Sequence, residues 1–255
     1  MCLIILSYKQ FDNFPLILAA NRDEFFERPT QSAHFWNDNP LILAGRDRKH
    51  NGSWLGITKQ GRFAAVTNFR EPSEKIARAT SRGTLVSEYL LSEINAKNYL
   101  EDLLNRIDKF DGFNLLVGDT NALYFLSSME KKIKNIQSGV YGISNGVFDC
   151  PWPKVIQGKL RLTEIMKSSG QVDETAFFKL LADETVPVDD ELPDTGVGLE
   201  WEQKLGSIFV KADSFGTRCS TLLSIDANKQ VRFIERNFDP AGNEDGTERY
   251  SFKLD

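Results

Sequence analysis

The chain has 255 residues, of which 41% are hydrophobic and 26% charged, with a formal net charge of −5, a balance that supports a sizeable core. No basic stripe suits nucleic acid, and no apolar run approaches the roughly 18 residues that a membrane span needs. The opening apolar run lacks a basic start and soon meets Lys9 and Gln10, so it makes a poor signal peptide. Three cysteines, an odd number and far apart, argue against a disulfide framework and for a reducing, cytoplasmic compartment.

In chain order, residues 2–8 and 15–20 are apolar runs of strand length. Neither alternates, so both are expected to be buried on both faces. Residues 21–36 are polar and aromatic, interrupted by Pro29, and read as an ordered loop. A short strand is expected at 41–44. Residues 52–57 and 63–68, around a Lys59-Gln60-Gly61 turn, form a strong hairpin signal, and Asn68 ends its second strand. A polar loop follows over 70–80.

Ser81 reads as the cap of a helix carrying Leu85, Val86, Tyr89, Leu90 and Ile94. A second helix has Tyr99, Leu100, Leu103, Leu104 and Ile107 on one face. Strands are expected at 113–117, 123–126 and 140–144, the last running into Asn145-Gly146. Pro151-Trp152-Pro153 opens a helix, since proline suits a first turn, and 173–182 is a further short one. Residues 185–198 read as a loop. Strands at 207–210, 220–225, 231–235 and 250–254 close the chain, with Arg218 just ahead of the second. Strands first, helices in the middle and strands last give an α+β domain spanning 1–255, with no repeat or linker.

Cys2 is the first candidate for chemistry. Aminopeptidases remove an initiator methionine readily before a small residue, and Met1 loss would leave a thiol and a free α-amine on one residue. The amine, with a pKa of about 7.7–8.0, can act as base for a thiol of about 8.5, which is the chemistry of an N-terminal nucleophile. The competing reading is a small buried hydrophobe at a strand start. The two histidines, His34 and His50, sit in loop-like segments, and no CxxC or HExxH spacing exists. No zinc site is therefore expected, and catalysis would need no cofactor.

Four polar positions share strand ends with Cys2: the Asn21–Glu24 cluster, Asn68, Asn145 and Arg218. Asparagine amides serve as oxyanion donors, an arginine near a thiol favours the thiolate, and an aspartate can orient an ammonium. Plainer roles compete. Asn21 and Asp23 suit loop hydrogen bonds and Asn145-Gly146 an ordinary turn. On an extended strand Asn21 and Asp23 face away from Arg22 and Glu24, so all four cannot line one pocket. Trp54 and Trp152 read as core or pocket wall, and Cys150 and Cys219 as bystanders.

The sequence resembles the family named for its Asn-Arg-Asp-Glu motif, the transport and Golgi organisation protein two family. The matching stretches are Met1-Cys2, Leu18 to Phe25, Arg28-Pro29, Gly52 to Gly56, Thr67-Asn68, Arg82-Gly83, Gly112 to Leu115, Tyr141 to Asn145, Pro151 to Lys154 and Gly216 to Arg218. They span nearly the whole chain. The family is in turn similar to the N-terminal cysteine hydrolases that cleave penicillin V and bile-salt amides, which implies a four-layer αββα sandwich. It also implies Cys2 as nucleophile, with Arg22, Asp23, Asn68, Asn145 and Arg218 as the nearest matches to the remaining catalytic positions. Those hydrolases space the arginine and aspartate apart, whereas Arg22 and Asp23 are adjacent.

Two functions follow as expectations. One is hydrolysis of a linear amide or related acyl bond of a small molecule. The other, implied by the family's links to haem movement and lipid metabolism, is a hydrolase-like pocket that carries haem or a lipid without cutting it. Axial ligands would then come from Cys2, His34, His50 or Met166. Loops over 26–40, 69–80 and 185–204 would shape the pocket, and oligomeric state is not legible.

Overall fold

The computed structural model describes residues 3–70 and 80–255. Cys2, and all but the two ends of the polar loop expected over 70–80, lie outside the described residues.

The expected strand at 2–8 is β1 (Leu3–Phe11), and the second apolar run is the start of β2 (Phe14–Phe25). β2 runs five residues beyond Ala20 and carries Asn21, Arg22, Asp23 and Glu24 within it. The loop expected over 21–36 is therefore corrected to the end of β2 followed by β3 (Thr30–Phe35). The polar residues stay extended because β11 (Phe215–Ile225) pairs with them, Gly216 opposite Glu24 and Ser220 opposite Asn21.

β4 (Ile42–Asp47), β5 (Leu55–Thr58) and β6 (Phe63–Asn68) follow. Then come α1 (Gly83–Leu91) and α2 (Ala96–Leu104). The residue capping α1 is Arg82 rather than Ser81, although the Ser81 carbonyl accepts from the Thr84 hydroxyl at 2.7 Å. β7 (Phe113–Gly118), β8 (Leu123–Ser127), the unforeseen β9 (Lys132–Asn135) and β10 (Gly139–Ile143) precede α3 (Pro153–Ser169) and α4 (Glu174–Leu181). Pro153 sits in the first turn of α3, and Asp173 caps α4 by accepting from the Ala176 N–H. A short α5 (Leu199–Lys204) lies just past the loop expected over 185–198. The expected strand at 207–210 is not one. Ile208, Phe209 and Val210 are buried, but their backbone follows an irregular path. β12 (Gln230–Phe238) and β13 (Glu244–Lys253) end the chain.

The strands form two sheets. One has the order β10-β1-β2-β11-β12-β13, the other β3-β4-β5-β6-β7-β8-β9. Three apolar layers hold them. Ile4, Leu6, Leu18, Leu223 and Phe233 of the first sheet meet Leu43, Leu55, Phe63, Leu116 and Phe125 of the second. The outer face of the second sheet packs under α1 and α2 through Leu85, Tyr89, Leu100 and Leu103. The outer face of the first packs under α3 and α4 through Ile5, Ile17, Val155, Leu162 and Phe177. The protein is thus a four-layer αββα sandwich. Over Leu3–Tyr8 of β1 and from Leu16 onward in β2, even-numbered residues face the space between the sheets and odd-numbered residues face the helices, as a period of two requires.

Among the described residues no helix is long and apolar enough to cross a membrane.

Candidate functional site

The start of β1 is flanked on both sides by polar strand ends. Leu3 pairs with Asn21 of β2, so Arg22 and Asp23 lie just beyond it on one side. Ile4 pairs with Ile143 of β10, so Ser144 and Asn145 lie beyond it on the other.

Asn21 is fully buried and faces the helix layer. Its Nδ2 donates to the carbonyls of Leu181 at 2.8 Å and Ile208 at 2.9 Å, and its Oδ1 accepts from Ser220 Oγ at 2.6 Å. Each polar atom of its amide is used within the fold, so Asn21 clamps β2 to the end of α4 and to the 207–210 segment. Asp23, on the same face and 2% exposed, accepts from Thr217 Oγ1 at 2.7 Å, and that hydroxyl accepts from the Val210 N–H at 2.9 Å.

Arg22 points the other way, into the layer between the sheets. Its guanidinium lies 4.3 Å from the centroid of the Trp54 ring, a cation–π contact strengthened by desolvation. Nη2 reaches Glu24 at 3.8 Å, and among the described residues the buried Nη1 has no hydrogen-bond partner. Trp54 is held from behind, because a Cβ on Gly45 would lie 2.2 Å from its ring. Trp54 lies in the inter-sheet core, one of the two places expected for it. It carries the Arg22 cation.

Arg218 stands inside β11 rather than ahead of a strand. Thr217 pairs with Asp23 but Cys219 with Arg22, so Arg218 is the extra residue of a β-bulge, a device that re-aims a side chain. Its Nη1 donates to the carbonyls of Phe25 (3.0 Å), Phe26 (3.2 Å) and Arg28 (3.3 Å). It thereby fixes the turn that follows the Asn-Arg-Asp-Glu run. Burial, and then the nearby Arg22 cation, hold its pKa below the usual guanidinium value. Arg28 pairs with Asp47 and approaches Glu24 at 3.7 Å. Burial pushes the Asp47 carboxyl up, but its bonds from Arg28 and the Lys49 N–H outweigh this and hold it below the usual range.

Asn68 and Asn145 are brought together. Asn145 Nδ2 donates to the Asn68 carbonyl at 2.9 Å, and Asn145 Oδ1 accepts from Arg70 Nη2 at 3.2 Å. Asn145 therefore ties the end of β10 to the end of β6 across the two sheets. Beneath them Asn114 Nδ2 donates to the carbonyls of Ser144 (3.1 Å) and Gly146 (2.8 Å), and Thr67 Oγ1 donates to Ser144 at 2.7 Å. Arg70 continues the network to the buried Glu202 of α5 at 2.7 Å. Asn114, Thr67, Arg70 and Glu202 were not singled out in the sequence as site residues. The available signal was a polar residue inside an apolar strand run, as in Phe113-Asn114-Leu115 and Val66-Thr67.

Cys150 and Cys219 are buried free thiols, and Cys219 has a polar partner. It hydrogen-bonds Glu235 of β12 in the inter-sheet layer; burial first, and then Glu235, push its thiol well above the ordinary value. The candidate haem ligands are spread out: Met166 is buried under α3, His34 is on β3 of the other sheet, and His50 is exposed in a turn.

Residues 1–240 match the sequence model of the family described as Transport and Golgi organisation 2. The chain belongs to that family. The Transport and Golgi organization 2 homolog of Mus musculus is 32% identical, covering 100% of this chain and 99% of its own. The human homolog is 32% identical, covering 93% of each. Among solved structures the chain is similar to a Caenorhabditis elegans N-acylethanolamine-hydrolyzing acid amidase ortholog. The TM-score is 0.50 and the identity 12%, over 87% of this chain and 92% of that one. It is also similar to the C2A mutant of conjugated bile acid hydrolase from Clostridium perfringens, with TM-score 0.51 and 9% identity over 100% of this chain and 97% of that one. The fold is that of the N-terminal nucleophile hydrolases.

Proposed function

We propose that this family member is an N-terminal-cysteine hydrolase acting on a linear amide or related acyl bond of a small molecule. The observation that carries the reading is the convergence of Arg22, Asp23 and Asn145 on the start of β1, one peptide unit from Cys2. With Met1 removed, the α-amine of Cys2 takes the thiol proton. The thiolate sulfur then attacks the acyl carbonyl, and the C–N bond breaks as the leaving amine accepts that proton. Water hydrolyses the thioester and regenerates the thiol. Asp23, held by Thr217, is suited to orient the ammonium, and the buried Arg22 cation favours the thiolate. Asn145 keeps one amide hydrogen beyond its bond to Asn68, which suits an oxyanion, as does the half-buried Asn68. Arg218 acts through the 25–28 turn. The named amidase and bile acid hydrolase activities of the two structural neighbours lend the reading a fold-level precedent.

A panel of N-acyl amides incubated with the mature protein tests it. Acyl release that is lost in Cys2→Ala supports the reading, and release that persists in Cys2→Ala overturns it. The haem-carrier reading draws less support, since Met166, His34 and His50 lie in different parts of the sandwich.

A further inference from the structure

The layer between the sheets contains a second carboxyl that the chemistry above does not use. Glu235 of β12 is 1% exposed, and the β11 residue that hydrogen-bonds it, Cys219, is the one that pairs with Arg22 of β2. Glu235 Oε1 accepts from the Ala33 N–H of β3 at 2.7 Å, and its Oε2 lies 3.5 Å from Thr221 Oγ1. Cys219 of β11 hydrogen-bonds it, and the Arg22 charge on β2 acts on it directly. On the remaining side Tyr250 of β13 donates to the Ala33 carbonyl at 3.0 Å, and its hydroxyl pKa is raised by burial first, with Glu248 and Glu235 adding to the effect. Glu248 stands directly opposite Glu235 on β13, so the polar and charged groups around Glu235 among the described residues are one cation, one further carboxyl, one thiol, two hydroxyls and one N–H. A buried carboxyl with one N–H bond and, among the described residues, no ion pair is a poor home for a fixed negative charge. Arg22, meanwhile, lies over Trp54, whose ring packs against Gly45, and among the described residues its Nη1 has no hydrogen-bond partner.

We propose that Glu235 is a positioning residue whose protonation sets how much of the Arg22 charge is presented to the nucleophile at the start of β1. This rests on the Cys2 reading above. With Glu235 neutral, the Arg22 charge is offset in part by Glu24 at 3.8 Å and acts on the thiol with the remainder. With Glu235 ionised, its charge and that of Arg22 share the inter-sheet layer, where screening by water is weak, and the pull on the thiolate falls. Burial raises the Glu235 pKa to about 7 against the opposing effects of the Ala33 N–H, Cys219 and Arg22, so the change falls in the physiological range.

The test is the rate of Cys2 alkylation against pH, mapped by peptide mass, in the wild type and in Glu235→Gln. Glutamine keeps an acceptor for Ala33 and removes the charge. The two proteins should react alike below pH of about 6. Near pH of about 8, where Glu235 is ionised and the thiol only partly so, the variant should react about two- to threefold faster, the effect of half to one unit in a thiol pKa of about 8.5, and the two rates should converge as both thiols ionise fully. If wild-type Cys2 does not label, the nucleophile reading fails and this one with it. If Cys2 labels with the same profile in both proteins, this inference alone fails. Should the variant not fold, the wild type still decides. A protonated-carboxyl infrared band that fades near pH 7, together with a bend in the labelling profile at the same pH, supports the proposal, and the absence of either overturns it.

Discussion

Replacing Asn21 by alanine should unfold much of what holds the motif in place, although Asn21 itself takes no part in the proposed chemistry. Its side chain is fully buried and makes three hydrogen bonds, to the carbonyls of Leu181 and Ile208 and from Ser220 Oγ, at 2.6–2.9 Å. The alanine variant strands two carbonyls and a hydroxyl in a layer without solvent. Each stranded group costs about 1–3 kcal/mol. Allowing for the Ser220 hydroxyl to rotate to another acceptor, the two carbonyls together cost about 2–6 kcal/mol. That is a large share of a total stability of roughly 5–15 kcal/mol. Urea denaturation followed by tryptophan fluorescence reads the loss as a fall in midpoint at similar slope. A loss below about 1 kcal/mol would refute the claim that Asn21 is a clamp, since it would mean those groups find other partners at little cost.

Other perturbations should separate charge from packing. Trp54→Ala removes the platform under Arg22 and should slow Cys2 alkylation several-fold near neutral pH, whereas Trp54→Phe, which keeps a π-face, should slow it less; equal rates in both variants would contradict a cation–π role. Gly45→Ala sets a methyl 2.2 Å from the Trp54 ring and should destabilise by about 1–3 kcal/mol as an overpacked site, read by thermal melting; an unchanged melting temperature would show that Trp54 is not held there. Glu235 holds its proton up to about pH 7 in the folded state but only to about 4.3 unfolded. Stability should therefore fall as pH rises between those values and level off above them, by a few kcal/mol, and Glu235→Gln should flatten the profile; parallel pH profiles would contradict this. Glu202→Ala leaves Arg70 without its buried partner and should cost about 3 kcal/mol, with faster amide exchange at Asn145 as Arg70 lets go.

Much of the sandwich is legible in the letters. Residues 3–8, 16–20, 55–57 and 63–67 are apolar runs long enough for strands and too short for helices, and each is a strand buried on both faces. The continuation of β2 through Asn21 to Glu24 is not legible, because polar residues signal a loop until their partners are known. Here β11 supplies the pairing and Thr217 and Ser220 supply the side-chain partners. The reverse error occurs at residues 207–210. Their apolar side chains are buried, yet the Ile208 carbonyl bonds Asn21 instead of a neighbouring strand. β9, Lys-rich and largely exposed at a sheet edge, has no hydrophobic pattern to betray it. In the candidate site, the residue types and strand-end positions point to the cluster. The division of labour does not follow from them, since Asn21 as clamp, the Arg218 bulge and the Glu235–Cys219 contact all depend on pairings far apart in sequence.

The central claim concerns the state of the N-terminus and is tested most directly by intact mass before and after brief treatment with a mild thiol alkylator. The account predicts a mass lacking Met1 and one rapidly added label that peptide mapping assigns to Cys2, while the buried Cys150 and Cys219 remain unlabelled. Retention of Met1, or a Cys2 that resists labelling under conditions where a free thiol reacts, would contradict it.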